Sequence, residues 1–332
     1  MKPFSQKMPP RTTNPDGATR RVGVELEFAA VSARDGSQQV QSLFGGTVEE
    51  EDPHRFHIRG TELGDFVCEL DTQYAHRPLK PEAGRIGGGL REAFADFDAR
   101  LRSLIGDVSS ILVPCEVVCP PVPIDEIGKL ERLVQALREA GAEGTRSNPL
   151  YAFGAQLNPE IAEDSGEWIT SVLKAYLLLS EWLREIMSID PTRRIASFAD
   201  PFPNPYVLSV VDPDYWPGRE RLIEDYLHAN PTRNRELDML PLFAFFDEEK
   251  VKALAPDPLI KKRPTFHYRL PDARFSEADW GVTLEWNRWC VVEELAADRA
   301  KLDAMGRAYR ANREQWISEN WAIRASEWLL VS

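Results

Sequence analysis

Five short segments of the sequence alternate apolar and polar residues step by step, and this period of two constrains the fold more than any other feature of the chain. In "RVGVELEF" (21–28), Val22, Val24, Leu26 and Phe28 share one strand face, and Gly23, Glu25 and Glu27 share the other. "HRFHIRG" (54–60) sets Arg55, His57 and Arg59 against Phe56 and Ile58. "DFVCELD" (65–71) sets Val67, Glu69 and Asp71 against Phe66, Cys68 and Leu70. "YAFGAQLN" (151–158) sets Gly154, Gln156 and Asn158 against Tyr151, Phe153, Ala155 and Leu157. "TFHYRLP" (265–271) sets Thr265, His267 and Arg269 against Phe266, Tyr268 and Leu270. Each strand therefore offers one dry face and one polar face, the pattern of an antiparallel sheet packed on one side.

Between the strands the period changes to that of helices. "GLREAFADFDARLRSLIGDV" (89–108), "IDEIGKLERLVQALREAGA" (124–142) and "GEWITSVLKAYLLLSEWLREIMSI" (166–189) have helical spacing, and the last is the most apolar. "SILVPCEVV" (110–118) reads as a further strand, stopped by Pro120 and Pro121. A Pro- and Asp-rich stretch, 190–217, predicts an irregular excursion, followed by a helix at 218–229. The tail, roughly 278–315, predicts one long helix carrying Trp286, Trp289, Val292, Leu295, Leu302 and Tyr309. Strands and helices do not alternate strictly, so the expected class is α+β with a largely antiparallel sheet. "HRFHIRG" and "DFVCELD", flanking a turn near Gly60 and Gly64, read as a hairpin. We expect residues 1–20 to form a flexible leader, 21–315 a single catalytic domain, and 316–332 a tail.

Composition narrows the function classes. A net charge of −13 argues against a general nucleic-acid or anionic-membrane binder. No apolar run approaches the ~20 residues needed to span a bilayer. Cys68, Cys115, Cys119 and Cys290 contain no Cys-x-x-Cys pair and suit reduced thiols in a cytoplasmic protein. Cys290, among tryptophans, reads as core. The five histidines lack any paired zinc-ligand spacing.

The polar face carries the chemistry. Glu-x-Glu on one strand and Glu-x-Asp on another bring four carboxylates together if the strands are close. At about 4 Å and an effective dielectric near 20, each like pair costs roughly 4 kcal/mol. Proton sharing, basic partners or a metal relieves that repulsion. Oxygen donors from several strands suit magnesium or manganese, and magnesium points to phosphate. Proton sharing would point instead to glycoside hydrolysis, and water alone accounts for an ordinary solvated face. No Gly-x-x-x-x-Gly-Lys-Ser/Thr loop or Gly-x-Ser-x-Gly elbow occurs, and "RIGGGLRE" (85–92) reads as a plain loop before an anion-capping one. A nucleotide would then need arginines, with Arg233 and Arg235 of "NPTRNR" and Arg263 and Arg269 of "KKRPTFHYR" as candidates.

Taken together, "RVGVELEF", "FVCELD", "FGAQLN", "NPTRNRELDMLPL" and "RPTFHYRLP", followed by a tryptophan-rich helix, resemble the amidoligase family over roughly residues 20–310. That family is similar to the glutamine synthetase and glutamate–cysteine ligase superfamily of carboxylate–amine ligases. The resemblance implies a curved, largely antiparallel sheet with helices on its apolar face, like the glutamine synthetase catalytic domain. It implies ATP and magnesium (or manganese) on the acidic face, and an acyl phosphate between carboxylate and amine. Carried over by position, Glu25, Glu27 and Glu69 become metal ligands, with Gln156 offering a neutral carbonyl beside them. Asp71, His267 and Arg269 fall in the catalytic set; Asn158, Arg233, Arg235 and Arg263 fall around the cofactor. Gln156 and Asn158 stand where such ligases commonly place a histidine-containing strand, and His267 stands where they place a Glu two residues before the Arg. Implied partners are small-molecule or peptide carboxylates and amines, and a separate glutamine amidotransferase that supplies ammonia. Two alternatives stand beside a ligase: a degenerate ligase fold that binds a ligand or partner without turnover, and another magnesium–nucleotide phosphotransferase.

Overall fold

A computed structural model describes residues 5–71, 114–147, 153–189, 199–316 and 319–330. Among the described residues nine strands form one open sheet: β1 (Arg21–Phe28), β2 (Thr47–Asp52), β3 (Arg55–Thr61), β4 (Gly64–Leu70), β5 (Cys115–Val118), β6 (Val122–Pro123), β7 (Ala155–Pro159), β8 (Leu237–Asp238) and β9 (His267–Tyr268). Their order is β2-β3-β4-β5-β1-β7-β9-β8, with β6 pairing alongside β1. Every ladder between these strands is antiparallel. The expected hairpin is β3 and β4, pairing Phe56 with Cys68 and Ile58 with Phe66. Gly64 (φ +118°) sits where an added Cβ would stand 3.0 Å from the Pro120 ring, so both backbone and space favour glycine.

The dry face is the one the alternation predicts. Val22, Val24, Leu26, Phe28, Phe66, Cys68, Val117, Leu157 and Tyr268 are fully buried. Each such aliphatic or aromatic side chain is worth about 1.5–3 kcal/mol of transfer free energy. Helix α1 (Ala33–Phe44) begins at Ser32, whose hydroxyl accepts from the Asp35 amide. It lies so close to the sheet that a Cβ on Gly36 would meet the Phe28 ring at 3.5 Å. Further along come a 3₁₀ turn at Ile127–Leu130, α2 (Glu131–Glu139), and α3 (Gly166–Met187), which is capped by Ser165. Next are α4 (Asn204–Val210), α5 (Arg219–Ala229), α6 (Leu240–Phe246) and α7 (Glu248–Leu254). The last three helices are α8 (Val282–Ala297), α9 (Arg299–Glu314) and α10 (Trp321–Leu330). Helices α3 and α8 meet beneath the β9 end of the sheet, where the Tyr268 ring lies 5.9 Å from Tyr176 and 5.3 Å from Trp289.

Several expectations change. The tail is two helices, because Asp298 ends α8 and its side chain caps α9 by accepting from the Lys301 amide. The irregular excursion contains α4, and the stretch after 315 contains α10, seated on α3 with the Trp321 indole donating to the Leu178 carbonyl. Residues 5–20 lie along the body of the protein. Lys7 N–H donates to Asn287, the Trp286 indole donates to the Lys7 carbonyl, and the Arg11 guanidinium lies 4.1 Å over Trp168. Polar chain of this kind is held by hydrogen bonds to distant helices, a contact that local composition does not display. Strands β2 and β6 and helix α1 lie outside the elements that the periodicity predicts. The helix expected at 89–108 and the glycine-rich 85–92 lie outside the described residues. No described helix is long and apolar enough to cross a membrane, and all four cysteines are free and buried.

Candidate functional site

The polar face of the sheet is built by register. β5 separates β1 from β4, so the two acidic strands seen in sequence are not neighbours. The strand between them brings its own carboxylate: Glu69 pairs with Glu116, and Glu116 pairs with Glu27. A row Arg55–Glu69–Glu116–Glu27 thus crosses four strands. Directly opposed side chains stand about 4.5–5.5 Å apart at Cβ. Glu25 lies one step along, opposite Gln156, and Asp71 just beyond the end of β4, its N–H donating to the Pro114 carbonyl.

These carboxylates are not equivalent. Glu69 has Arg55, whose Nε lies 3.1 Å away, although burial still raises its pKa above the usual carboxylate value. Glu27 accepts a hydrogen bond from the Gly154 amide at 2.8 Å. Glu25 accepts from Asn158 Nδ2 at 2.8 Å. Glu116 has burial and four acidic neighbours, Glu25, Asp71, Glu27 and Glu69, all disfavouring its charge, and its pKa is pushed well up. Sequence reasoning missed Glu116, although "CEVV" carries the same alternation, with Glu116 opposed to Cys115 and Val117.

Glu116 makes a stability prediction. The folded chain holds this proton above the ordinary value of 4.5, where the unfolded chain releases it, so the ligand-free protein loses stability as pH rises through that window. Glu116→Gln should raise stability without metal by roughly 1 kcal/mol, the scale of one poorly satisfied, partly buried polar group. The gap over wild type should widen as pH climbs above 4.5 in urea unfolding. A variant less stable than wild type at every pH would contradict the strained-row reading.

The other end of the face is basic. His267 pairs across the β8–β9 ladder with Asp238, and Arg269 follows two residues on. Arg233 reaches Asp257 at 3.9 Å, and burial, then Arg269, lowers its pKa. Arg269 donates to the Arg233 carbonyl at 3.0 Å. Buried Asp238 is raised to about 6, with burial outweighing Arg269, the Leu240 amide and Arg233. The sequence signal for Asp238, an acid inside the apolar run "LDMLPL", went unread. Burial, then Arg263, Arg269 and Arg233, hold the His267 ring neutral well below its usual range. Arg235 is the one basic candidate placed elsewhere: it donates to the Pro201 carbonyl at 2.6 Å and lies near Phe202.

A hydrogen-bond chain joins the two ends. Gln156 Nε2 lies 2.8 Å from Asn158 Oδ1 and 3.0 Å from His267 Nδ1, and Asn158 continues to Glu25. His57, by contrast, is taken up at the far edge by Glu51 at 2.7 Å. Among the described residues no three His, Cys, Asp or Glu side chains are drawn together as a ready-made metal cluster. The acids instead form an extended row of oxygen donors, and that donor type suits a hard divalent cation.

Fold and site define an α+β protein with acids and arginines gathered on one face of an open antiparallel sheet. A family model described as "putative amidoligase enzyme" matches residues 18–291, most of the chain, and the chain belongs to that family. No curated protein and no solved structure matches it.

Proposed function

We propose that this protein is an ATP- and magnesium-dependent carboxylate–amine ligase with a glutamine synthetase-like catalytic fold. The observation that carries this reading is the in-register row Glu69–Glu116–Glu27, a set of opposed carboxylates whose repulsion a bound divalent cation would relieve. Glu69, Glu116, Glu27 and the Glu25 oxygen not engaged by Asn158 would hold the divalent cations. Bound there, magnesium would neutralise phosphate oxygens and hold them in line for attack. Gln156, whose amide nitrogen is committed to Asn158 and His267, enters as a positioning residue.

In the first step a substrate carboxylate oxygen attacks the γ-phosphorus of ATP and ADP leaves, giving an acyl phosphate. In the second, an amine attacks the carbonyl carbon, phosphate leaves, and the nitrogen gives up a proton. Arg233 and Arg269 would stabilise the negative charge on the transferred group. Asp71, beside the acidic row, is a candidate to orient the amine. Water must be kept away, because an acyl phosphate hydrolyses. A small-molecule or peptide acid serves as the phosphoryl acceptor, and the nitrogen nucleophile is either ammonia from a separate glutamine amidotransferase or a free amine.

Thermal unfolding tests the reading directly. Magnesium with a non-hydrolysable ATP analogue at about a hundred times its dissociation constant should stabilise wild type by about 2.7 kcal/mol. That corresponds to a rise of several degrees in a protein of this size. Glu27→Gln should lose the response. A wild type indifferent to millimolar magnesium–nucleotide overturns the proposal. Nucleotide binding with no acid- and amine-dependent ADP release would favour the reading in which the fold binds without turnover.

A further inference from the structure

The hydrogen-bond chain between the two ends of the face has a direction, and the direction follows from its first member. Asn158 Nδ2 donates to Glu25 Oε1 at 2.8 Å, so the first link is fixed by the amide nitrogen. Asn158 Oδ1 is then the acceptor on the other side, and the Gln156 atom 2.8 Å from it must be the donating Nε2. The second hydrogen of that same nitrogen faces His267 Nδ1 at 3.0 Å. Nδ1 therefore presents its lone pair, and the proton of the neutral ring sits on Nε2. This Nε2 is buried and has no hydrogen-bond partner among the described residues, in a side chain only 9 % exposed.

We propose that Glu25, Asn158 and Gln156 act as a relay that fixes His267 in its Nε2–H form, so that His267 donates a hydrogen bond to an oxyanion of the substrate, a phosphate or carboxylate oxygen, instead of ligating a metal. The surroundings suit such a ligand: Arg233, Arg263 and Arg269 all bear on this ring. A donor in the field of these positive charges favours an acceptor oxygen with negative charge. Asn158 and Gln156 are positioning residues; of the relay and its ring, His267 alone would touch the ligand. The inference deepens the ligase reading and rests on it for the identity of the substrate, although the relay itself needs neither metal nor nucleotide.

Nitrogen-15 spectra of the histidine-labelled full chain report the tautomer of each ring, and His267→Asn assigns the resonance. Wild type should show the neutral Nε2–H form before any ligand is added. Titration with inorganic phosphate and, separately, acetate should move the Nε2 resonance. The arm that responds tells which oxyanion the site takes, and a response in neither overturns the ligand assignment. Gln156→Glu replaces the donor facing Nδ1 by an acceptor and should move the ring proton to Nδ1. It should also weaken oxyanion binding by about tenfold, while Gln156→Asn retains a donor and should keep part of it. An Nδ1–H ring in wild type, observable without any variant, overturns the relay. Since no magnesium or nucleotide is present, failure here is separable from failure of the magnesium–nucleotide response.

Discussion

Glu293→Ala should destabilise the protein by about 3–5 kcal/mol in urea unfolding, a large share of the 5–15 kcal/mol that holds a typical domain together. Arg20 and Glu293 form a bidentate pair at 2.6 and 2.7 Å with both side chains fully buried. The Trp289 indole donates to the same carboxylate at 2.7 Å. Removing the carboxylate strands a buried guanidinium and an indole N–H together. The companion Arg20→Leu/Glu293→Leu protein should recover much of the loss, because no uncompensated charge remains. Recovery should be incomplete, since Arg20 also donates to the Arg11 and Glu160 carbonyls. A Glu293→Ala loss below about 1 kcal/mol would mean that solvent reaches this pair.

Tyr268→Ala should cost a similar amount, about 3–5 kcal/mol, the range for emptying a buried aromatic site. The expected consequence is more than lost stability. β9 is a two-residue strand, paired with β7 through Leu157–Tyr268 and with β8 through Leu237–Tyr268. The Tyr268 ring between Tyr176 and Trp289 fixes that strand to the helices. His267 and Arg269 flank it on the opposite face. Emptying the pocket should therefore loosen the basic end of the site and weaken magnesium–nucleotide or phosphate binding even at temperatures where the variant is folded. Tyr268→Phe keeps the ring and loses only a long contact of its hydroxyl to Met187 sulfur, so it should bind as wild type does. Equal binding by Tyr268→Ala and wild type would show that β9 is held by its ladders alone.

The sheet was legible because its signal is local. The period-two alternation around Glu25, Glu27, Glu69, Gln156 and His267 states which residues share a face whatever the neighbours turn out to be. Breaks were less legible. Asp298 looks like one more polar residue in a helical pattern until its side chain is seen to cap the next helix. Residues 5–20 look like solvated chain because the groups that bind them, the indole of Trp286 and the amide of Asn287, lie almost three hundred residues away.

The site divides along the same line. Sequence alone determined that Glu25 and Glu27 share a polar face, that Glu69 and Asp71 share another, and that His267 and Arg269 share a third, since side-chain alternation is a property of the strand itself. Strand order is not such a property. Only the tertiary structure inserted β5 between β1 and β4, placing Glu116 among the other acids. Only it set β9 beside β7, where Gln156 can hold His267. Pairing partners are chosen by which dry faces pack on α1, α3 and α8, a competition among distant segments that no local window of residues contains.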